Sequence, residues 1–224
     1  MNTETARFNM IEQQIRPWEV LDQSVLSLLA VVRREDFVPP AQRALAFVDT
    51  QVPLLADKLA GPCMLEPKVE ARLLQELQLH RHEKVLEIGT GSGFMAALLS
   101  HRAMQVFSTE CEPTLAQTAR DNLRRNGVVN VQVIDVSAAQ GALGLRGEAP
   151  FDAILLSGSV AEVPRALLEQ LKIGGRLVAM VGELPIMRAR LFTRVDAAAW
   201  SDADLFDTVA PRLQGFAEPQ GFKF

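Results

Sequence analysis

Apolar residues recur every three or four positions in parts of the first 80 residues, which is the pattern of amphipathic helices. One helix is predicted to follow Asp22, a good N-terminal cap, and to end before Phe37. A second is predicted to begin at Pro67, because proline suits the first turn of a helix. The expected buried positions are Val25, Leu28, Leu29 and Val32 in the first helix, and Val69, Leu73 and Leu77 in the second.

From residue 84 the pattern changes to short apolar runs that alternate with helical stretches. Strands are predicted at 84–88, 105–110, 131–135, 151–157, 176–181 and 188–195, and helices at 94–100, 113–126 and 164–171, with a turn at 174–175. Strands that alternate with helices pair in parallel through right-handed crossovers. We therefore expect an α/β fold with a doubly wound, mostly parallel, Rossmann-like sheet. Its ligand crevice should lie at the carboxyl ends of the strands.

The composition is that of a globular protein with a substantial core, since 48% of the 224 residues are hydrophobic and 22% are charged. A formal net charge of −4 gives no electrostatic reason to expect nucleic-acid binding. No apolar run reaches the roughly 18 residues of a membrane helix, and the first residues lack the layout of a signal peptide. Two cysteines make no disulfide framework, and the three histidines show no metal-ligand spacing. We expect a cytoplasmic protein that binds neither nucleic acid, membrane nor metal.

The stretch VLEIGTGSGFM, residues 85–95, places three glycines between a predicted strand and a predicted helix. Glycine lets the backbone turn sharply and approach a ligand closely. The spacing G-x-G-x-G differs from the dinucleotide fingerprint G-x-G-x-x-G, because Phe94 stands where the third glycine would be. A nicotinamide cofactor is therefore disfavoured.

Glu110 ends the next predicted strand. An acidic side chain at this position can accept hydrogen bonds from the hydroxyls of a ribose. The alternative is that Glu110 only stabilises the N-terminus of the following helix. The glycine loop, the acidic strand end and the strand–helix alternation together favour the ligand-binding interpretation.

The stretch EIGTGSG, residues 87–93, resembles the first motif of class I S-adenosylmethionine-dependent methyltransferases. Longer segments resemble the protein-L-isoaspartate O-methyltransferase family: MIEQQI, REDFVPP, VLEIGTGSGFMAALL, ARDNLRRNGVVNVQV, APFDAILL and EVPRALLEQLKIGGRLVAMVG. The similarity covers about residues 8–195. It implies the class I methyltransferase fold, S-adenosyl-L-methionine as cofactor, and an isoaspartyl carboxylate in damaged proteins as methyl acceptor.

The resemblance also implies cofactor-binding residues. The loop expected around the methionine part of the cofactor comprises Glu87, Gly89, Thr90, Gly91, Ser92 and Gly93. Glu110 would hold the ribose, with Cys111 beside the adenine. Where the family usually has a Gly-Asp pair that contacts the adenine amino group, this chain has Val136-Ser137, with Asp135 two positions early. The resemblance therefore leaves two candidates for the adenine contact: Val136 in an ungapped alignment, and Asp135 if the loop is shifted.

Ser157, after the fourth predicted strand, is expected where methyl donor and acceptor meet. No residue is assigned a catalytic role. A carboxylate acceptor, with a pKa of about 4, is already ionised at neutral pH and needs no general base. The contribution expected of the enzyme is to place oxygen and methyl carbon in line.

The predicted substrate loop is the least family-like part of the expected acceptor pocket. The family has a Thr-Ile-Ser segment whose hydroxyls orient the isoaspartyl carboxylate, and this chain has Cys63-Met64-Leu65 there. Leucine offers no donor, and one lost hydrogen bond to a charged acceptor costs about 1.5–3 kcal/mol, or roughly 10- to 150-fold. Cys63 is expected to pack as a small apolar residue rather than act as a reactive thiol.

Three hypotheses follow: an isoaspartyl methyltransferase, a methyltransferase of the same fold with another acceptor, and a catalytically silent cofactor-binding or regulatory protein. Three segments are expected: a helical and substrate-loop segment at 1–80, the cofactor-binding core at 81–195, and a packed C-terminal segment at 196–224. The last carries Trp200, Phe206, Phe216, Phe222 and Phe224, and is expected to form a final strand with its flanks. Nothing in the sequence specifies the oligomeric state.

Overall fold

The computed structural model describes residues 2–55 and 61–218. Its N-terminal part is helical: α1 (Thr3–Met10) runs into a π-helical turn (Ile11–Ile15) and a 3₁₀ turn (Arg16–Trp18), before α2 (Gln23–Val31). Two further 3₁₀ turns (Arg34–Asp36 and Pro40–Leu45) precede α3 (Pro67–Leu77). The Asp22 carboxylate accepts a hydrogen bond from the Ser24 amide at 2.7 Å, which confirms the predicted cap.

The remaining elements alternate between strands and helices. A short antiparallel pair joins β1 (Val52–Pro53) to β2 (Cys63–Met64), beside the loop before α3. The main sheet contains β3 (Lys84–Ile88), β4 (Gln105–Glu110), β5 (Val131–Asp135), β6 (Phe151–Val160), β7 (Leu171–Glu183), β8 (Ile186–Asp196) and β9 (Ala199–Thr208). The intervening helices are α4 (Phe94–Ser100), α5 (Pro113–Arg125), α6 (Ala138–Gly141) and α7 (Arg165–Leu168).

The seven strands are ordered β5-β4-β3-β6-β7-β8-β9. The first five are parallel, and β8 and β9 add an antiparallel extension. This confirms the doubly wound, mostly parallel sheet. Strand order reverses at β3, so the ligand crevice is expected beyond the carboxyl ends of β3 and β6.

One part of the sequence prediction is wrong. The helix expected at 164–171 is confined to α7, and the turn expected at Gly174-Gly175 lies inside β7. Gly174 has a φ of +81°, and the pairing between β6 and β7 shifts from Phe151–Leu171 to Ala153–Arg176. The two glycines therefore form a bulge in a continuous strand instead of ending it.

The sheet is covered on both faces. Successive residues of β3 alternate between two hydrophobic clusters: Val85 belongs to the cluster that includes α2, α3 and α4, and Leu86 to the one that includes α7. Leu29 and Leu73, from the N-terminal part, pack in the first cluster with Val85. The boundaries between the three expected segments stay a prediction. Among the described residues, no helix is long and apolar enough to cross a membrane.

Candidate functional site

A cavity of about 320 Å³, here called the main cavity, opens at the carboxyl ends of β3, β4 and β6. This is the predicted position of the ligand crevice. Its lining is Ile88, Gly89, Gly91, Thr109–Cys111, Val136, Ala138, Gly141, Ser157, Gly158, Gly61–Cys63 and Pro211–Gln214.

The glycine loop reaches the cavity through backbone positions that favour glycine. Gly89, Gly91 and Gly93 have φ angles of +95°, +55° and +84°. A Cβ atom on Gly89 would lie 2.8 Å from the Leu213 side chain, which also lines the cavity. A Cβ atom on Gly93 would instead lie 3.3 Å from the Ala119 backbone. Gly89 and Gly91 therefore line the cavity, whereas Gly93 allows α4 to pack against α5.

The Glu110 carboxylate is oriented by backbone amides. Its Oε2 accepts from the Gly91 amide at 2.8 Å, and its Oε1 accepts from the amides of Cys111 and Glu112 at 2.9 and 3.0 Å. A carboxylate has about four acceptor positions, so one on Oε2 stays available to a ligand hydroxyl. Glu110 therefore serves both as a link to the glycine loop and as an acceptor facing the cavity.

Glu87 lies below the cavity and is fully buried. Its carboxylate accepts from the Ser157 hydroxyl at 2.8 Å and the Ser108 hydroxyl at 2.6 Å, and Ser108 Oγ lies 2.6 Å from Thr90 Oγ1. Burial raises the pKa of Glu87 to about 8, although the two serine hydroxyls lower it. Its hydrogen bonds tie β3, β4 and β6 together beneath the main cavity.

A small cavity of about 30 Å³ adjoins Glu87 and is also lined by Glu70. Arg34 forms a buried ion pair with Glu70, and its Nη2 donates to the Leu65 carbonyl oxygen at 2.7 Å. Burial raises the pKa of the Glu70 carboxyl, and the Arg34 guanidinium offsets part of that rise. Arg34 thereby holds the backbone at Leu65, in the predicted substrate loop.

The three substrate-loop residues have different surroundings. Cys63 lines the main cavity, and its Sγ lies 3.5 Å from the Gln51 Oε1 acceptor. Met64 and Leu65 are buried and line the small cavity. Burial raises the pKa of the Cys63 thiol to about 12, so this thiol is neutral at neutral pH. No strong hydrogen-bond donor therefore comes from these three side chains.

The structure brings most of the predicted cofactor-binding residues together. Cys111, Val136 and Ser157 line the main cavity, and Thr90 and Ser92 line the small cavity. Burial raises the pKa of the Cys111 thiol.

Asp135 differs from these residues, because its Oδ2 pairs with Arg120 at 2.5 Å and the side chain is half exposed. It is not among the residues that line either cavity. Val136, rather than Asp135, therefore lines the main cavity. The individual binding roles stay predictions.

The C-terminal segment 210–214 is the part of the site that sequence reasoning missed. Ser159, near the end of β6, donates its amide to the Pro211 carbonyl at 2.8 Å and accepts from the Leu213 amide at 2.9 Å. Its hydroxyl donates to the Ala210 carbonyl at 2.8 Å. Gly158 gives the segment room, because a Cβ there would lie 2.8 Å from Leu213. Glycine inside a strand often marks such a close backbone approach, but the predicted strand ends at residue 157, before Gly158.

A second depression of about 510 Å³, here called the outer groove, adjoins the main cavity. The two share Gly61, Cys63, Pro211 and Arg212 as lining residues. The groove continues past Gln51, Glu183 and Met187. A ligand in the main cavity and a second molecule in the outer groove would therefore meet at this shared wall.

Comparison with known proteins identifies the family. Residues 5–204 match the family model described as Protein-L-isoaspartate(D-aspartate) O-methyltransferase. The chain is 42% identical to protein-L-isoaspartate O-methyltransferase 1 of Syntrophobacter fumaroxidans, over 82% of each chain. It is 37% identical to protein-L-isoaspartate O-methyltransferase of Koribacter versatilis, over 90% of this chain and 87% of that one.

Solved structures support the fold. A protein-L-isoaspartate O-methyltransferase structure has a TM-score of 0.77 at 24% identity, covering 97% of this chain and 66% of that one. A putative protein-L-isoaspartate O-methyltransferase from Plasmodium falciparum, in complex with S-adenosyl-L-homocysteine, has a TM-score of 0.77 at 18% identity, over 96% and 99% of the chains. On the sequence matches, the chain belongs to the protein-L-isoaspartate(D-aspartate) O-methyltransferase family.

Proposed function

We propose that this chain transfers a methyl group from S-adenosyl-L-methionine to the free carboxylate of an isoaspartyl residue in damaged proteins. The observation that carries the proposal is the placement of Glu110 beside the glycine loop at the reversal point of the sheet. This arrangement lies in a chain of the isoaspartyl methyltransferase family.

The residues around the main cavity suit this cofactor. A volume of about 320 Å³ falls within the range of small-molecule sites. Oε2 of Glu110 offers an acceptor to a ribose hydroxyl, and Gly89 and Gly91 line the cavity where we place the methionine part. Val136 and Ala138 offer an apolar wall to an adenine ring. We assign Cys111 to the same end of the cavity.

The chemistry asks for position rather than for proton transfer. When bound, S-adenosyl-L-methionine supplies an activated methyl group on a sulfonium centre. The acceptor carboxylate is ionised at neutral pH, so the chain has only to hold it in line with the methyl carbon. The shared wall between the main cavity and the outer groove, which includes Cys63 and Pro211, is where we place this encounter.

One observation favours a second candidate, a methyltransferase of the same fold with another acceptor. Cys63, Met64 and Leu65 replace the hydroxyl-bearing segment that the family uses for the isoaspartyl carboxylate, and Leu65 is buried. The same observation is consistent with a third candidate, a cofactor-binding protein without catalytic activity. The second and third candidates both keep the cofactor cavity. They differ from the first in that the isoaspartyl carboxylate is not the methyl acceptor.

Two measurements separate the candidates. Titration calorimetry with S-adenosyl-L-methionine tests the cofactor site, and methyl transfer to a synthetic isoaspartyl peptide tests the acceptor. We expect binding and transfer. Absence of binding contradicts every methyltransferase candidate, whereas binding without transfer to the isoaspartyl peptide contradicts only the proposed acceptor.

A further inference from the structure

The acceptor in the proposed function is an anion, but the side chains around its expected position are mainly acidic or neutral. The carboxylates that line the main cavity, the small cavity and the outer groove are Glu70, Glu87, Glu110, Glu183 and Glu218. Within residues 2–55 and 61–218, Arg212 is the one cationic side chain that lines any of the three. It lines both the main cavity and the outer groove.

Arg212 is held in this position by its backbone and by one guanidinium nitrogen. Arg212 forms a parallel β-bridge with Ser159 of β6. This bridge consists of the two backbone hydrogen bonds that Ser159 makes with Pro211 and Leu213. Nη1 donates to the Gly182 carbonyl oxygen at 3.0 Å. The guanidinium is therefore anchored at one nitrogen between β6 and β7.

The rest of the guanidinium is weakly engaged. Nε lies 3.7 Å from an oxygen of Glu218, whose side chain is 68% exposed. A pair at this distance with one exposed partner contributes little, and an incoming carboxylate can replace Glu218. Among the described residues, Nη2 of Arg212 donates no hydrogen bond. Guanidinium N–H groups match the two oxygens of a carboxylate in bidentate geometry.

We propose that Arg212 binds the methyl-acceptor carboxylate, and so replaces the hydroxyl donors that Cys63 and Leu65 cannot supply. This inference rests on the proposed function. The neighbouring alternatives are weaker donors: Gln214 carries a neutral amide, and the Ser157 hydroxyl donates to Glu87. Arg212 is thereby a determinant of specificity for an anionic acceptor.

The test compares two peptides on the full chain saturated with S-adenosyl-L-homocysteine. One peptide carries the isoaspartyl carboxylate, and the other carries a carboxamide at the same position. For the wild type we expect tighter binding of the carboxylate peptide in calorimetry. In Arg212→Leu this preference should fall by about 10-fold or more, because a hydrogen-bonded charge is lost. Arg212→Lys should keep part of it.

Methyl transfer supplies the second readout. Arg212→Leu should raise KM for the isoaspartyl peptide by at least about 10-fold, with the Kd for S-adenosyl-L-homocysteine unchanged. Arg165→Leu is the matched control, because it removes an exposed arginine outside the three cavities and should change neither value. Lys58 lies outside the described residues, and Lys58→Leu tests it as the rival cation.

Each other outcome contradicts the inference in a recognisable way. If the wild type transfers methyl but Arg212→Leu leaves the KM for the isoaspartyl peptide and the preference for the carboxylate unchanged, only the role of Arg212 is overturned. The same holds if these losses appear in Lys58→Leu instead. Equal weakening of both peptides, or a matching loss of affinity for S-adenosyl-L-homocysteine, shows a structural role and also overturns it. A wild type that transfers no methyl overturns the proposed function and the inference together.

Discussion

The Ser157 hydroxyl donates to Glu87 at 2.8 Å and so joins the carboxyl ends of β6 and β3 directly beneath the main cavity. Glu87 is fully buried, with Ser108 as its other hydrogen-bond donor. Burial and the nearby carboxylates of Glu110 and Glu70 outweigh these hydroxyls and favour the protonated form. The floor of the site is therefore sensitive to pH.

We expect thermal stability to fall as the pH rises from about 4.5 to about 8. The pKa of Glu87 is about 8 in the folded state and near its ordinary value of 4.5 in the unfolded state. The protonated side chain therefore makes its full contribution to the free energy of unfolding below about pH 4.5, and this contribution is lost as the pH rises through 8. Glu87→Gln, which resembles the protonated form, should flatten the fall in Tm between pH 5 and 9. Melting curves across this range check it, and an identical slope in variant and wild type would contradict it.

Glu110→Gln should weaken cofactor binding. The substitution replaces the charged acceptor for the ribose hydroxyl with a neutral amide. It also weakens the hydrogen bond that the Gly91 amide donates to this side chain. Loss of a hydrogen bond to a charged group should raise the Kd for S-adenosyl-L-homocysteine by roughly 10- to 150-fold, as measured by calorimetry. Glu162→Gln, at an exposed position, is the control. Equal affinity in Glu110→Gln and wild type would show that Glu110 only supports the loop and helix start.

Gly158→Ala should displace the C-terminal segment. The new Cβ would lie 2.8 Å from Leu213 and 3.0 Å from the Pro211 carbonyl oxygen. Overpacking of this kind destabilises by about 1–3 kcal/mol, and here it should also weaken cofactor binding because Leu213 lines the cavity. Gly147→Ala, where a Cβ meets no atom within 4 Å, is the matched control. Unfolding in urea measures the loss of stability, and calorimetry measures the affinity for the cofactor. The prediction is contradicted if Gly158→Ala matches Gly147→Ala in both.

Arg34→Met should destabilise the protein by about 3–5 kcal/mol, because Glu70 then keeps a buried charge or a buried acid without a partner. The double variant Arg34→Met with Glu70→Met removes both charged groups and should lie closer to the wild type than either single variant. Chemical denaturation measures all four proteins. Additive losses would show that the pair has no coupling of its own.

Much of the site could be predicted because its signals are local in the sequence. The glycine loop and Glu110 each lie at the end of an apolar strand, so their position at one sheet edge followed from the alternation of strands and helices.

The wall formed by residues 210–214 could not be predicted, because it depends on hydrogen bonds to Ser159, about fifty residues earlier in the chain. The bulge at Gly174 was missed for a related reason. A glycine pair that resembles a turn is kept in a strand by its pairing partner.

The identity of the methyl acceptor can be tested with two labelled reactions. Two peptides of identical sequence, one with an isoaspartyl linkage and one with an ordinary aspartyl linkage, are incubated with the wild type and S-adenosyl-L-methionine labelled in the methyl group. If the isoaspartyl carboxylate is the acceptor, we expect base-labile label on the isoaspartyl peptide and none above background on the aspartyl peptide. Equal labelling of the two peptides, or no labelling by a protein that binds the cofactor, would contradict it.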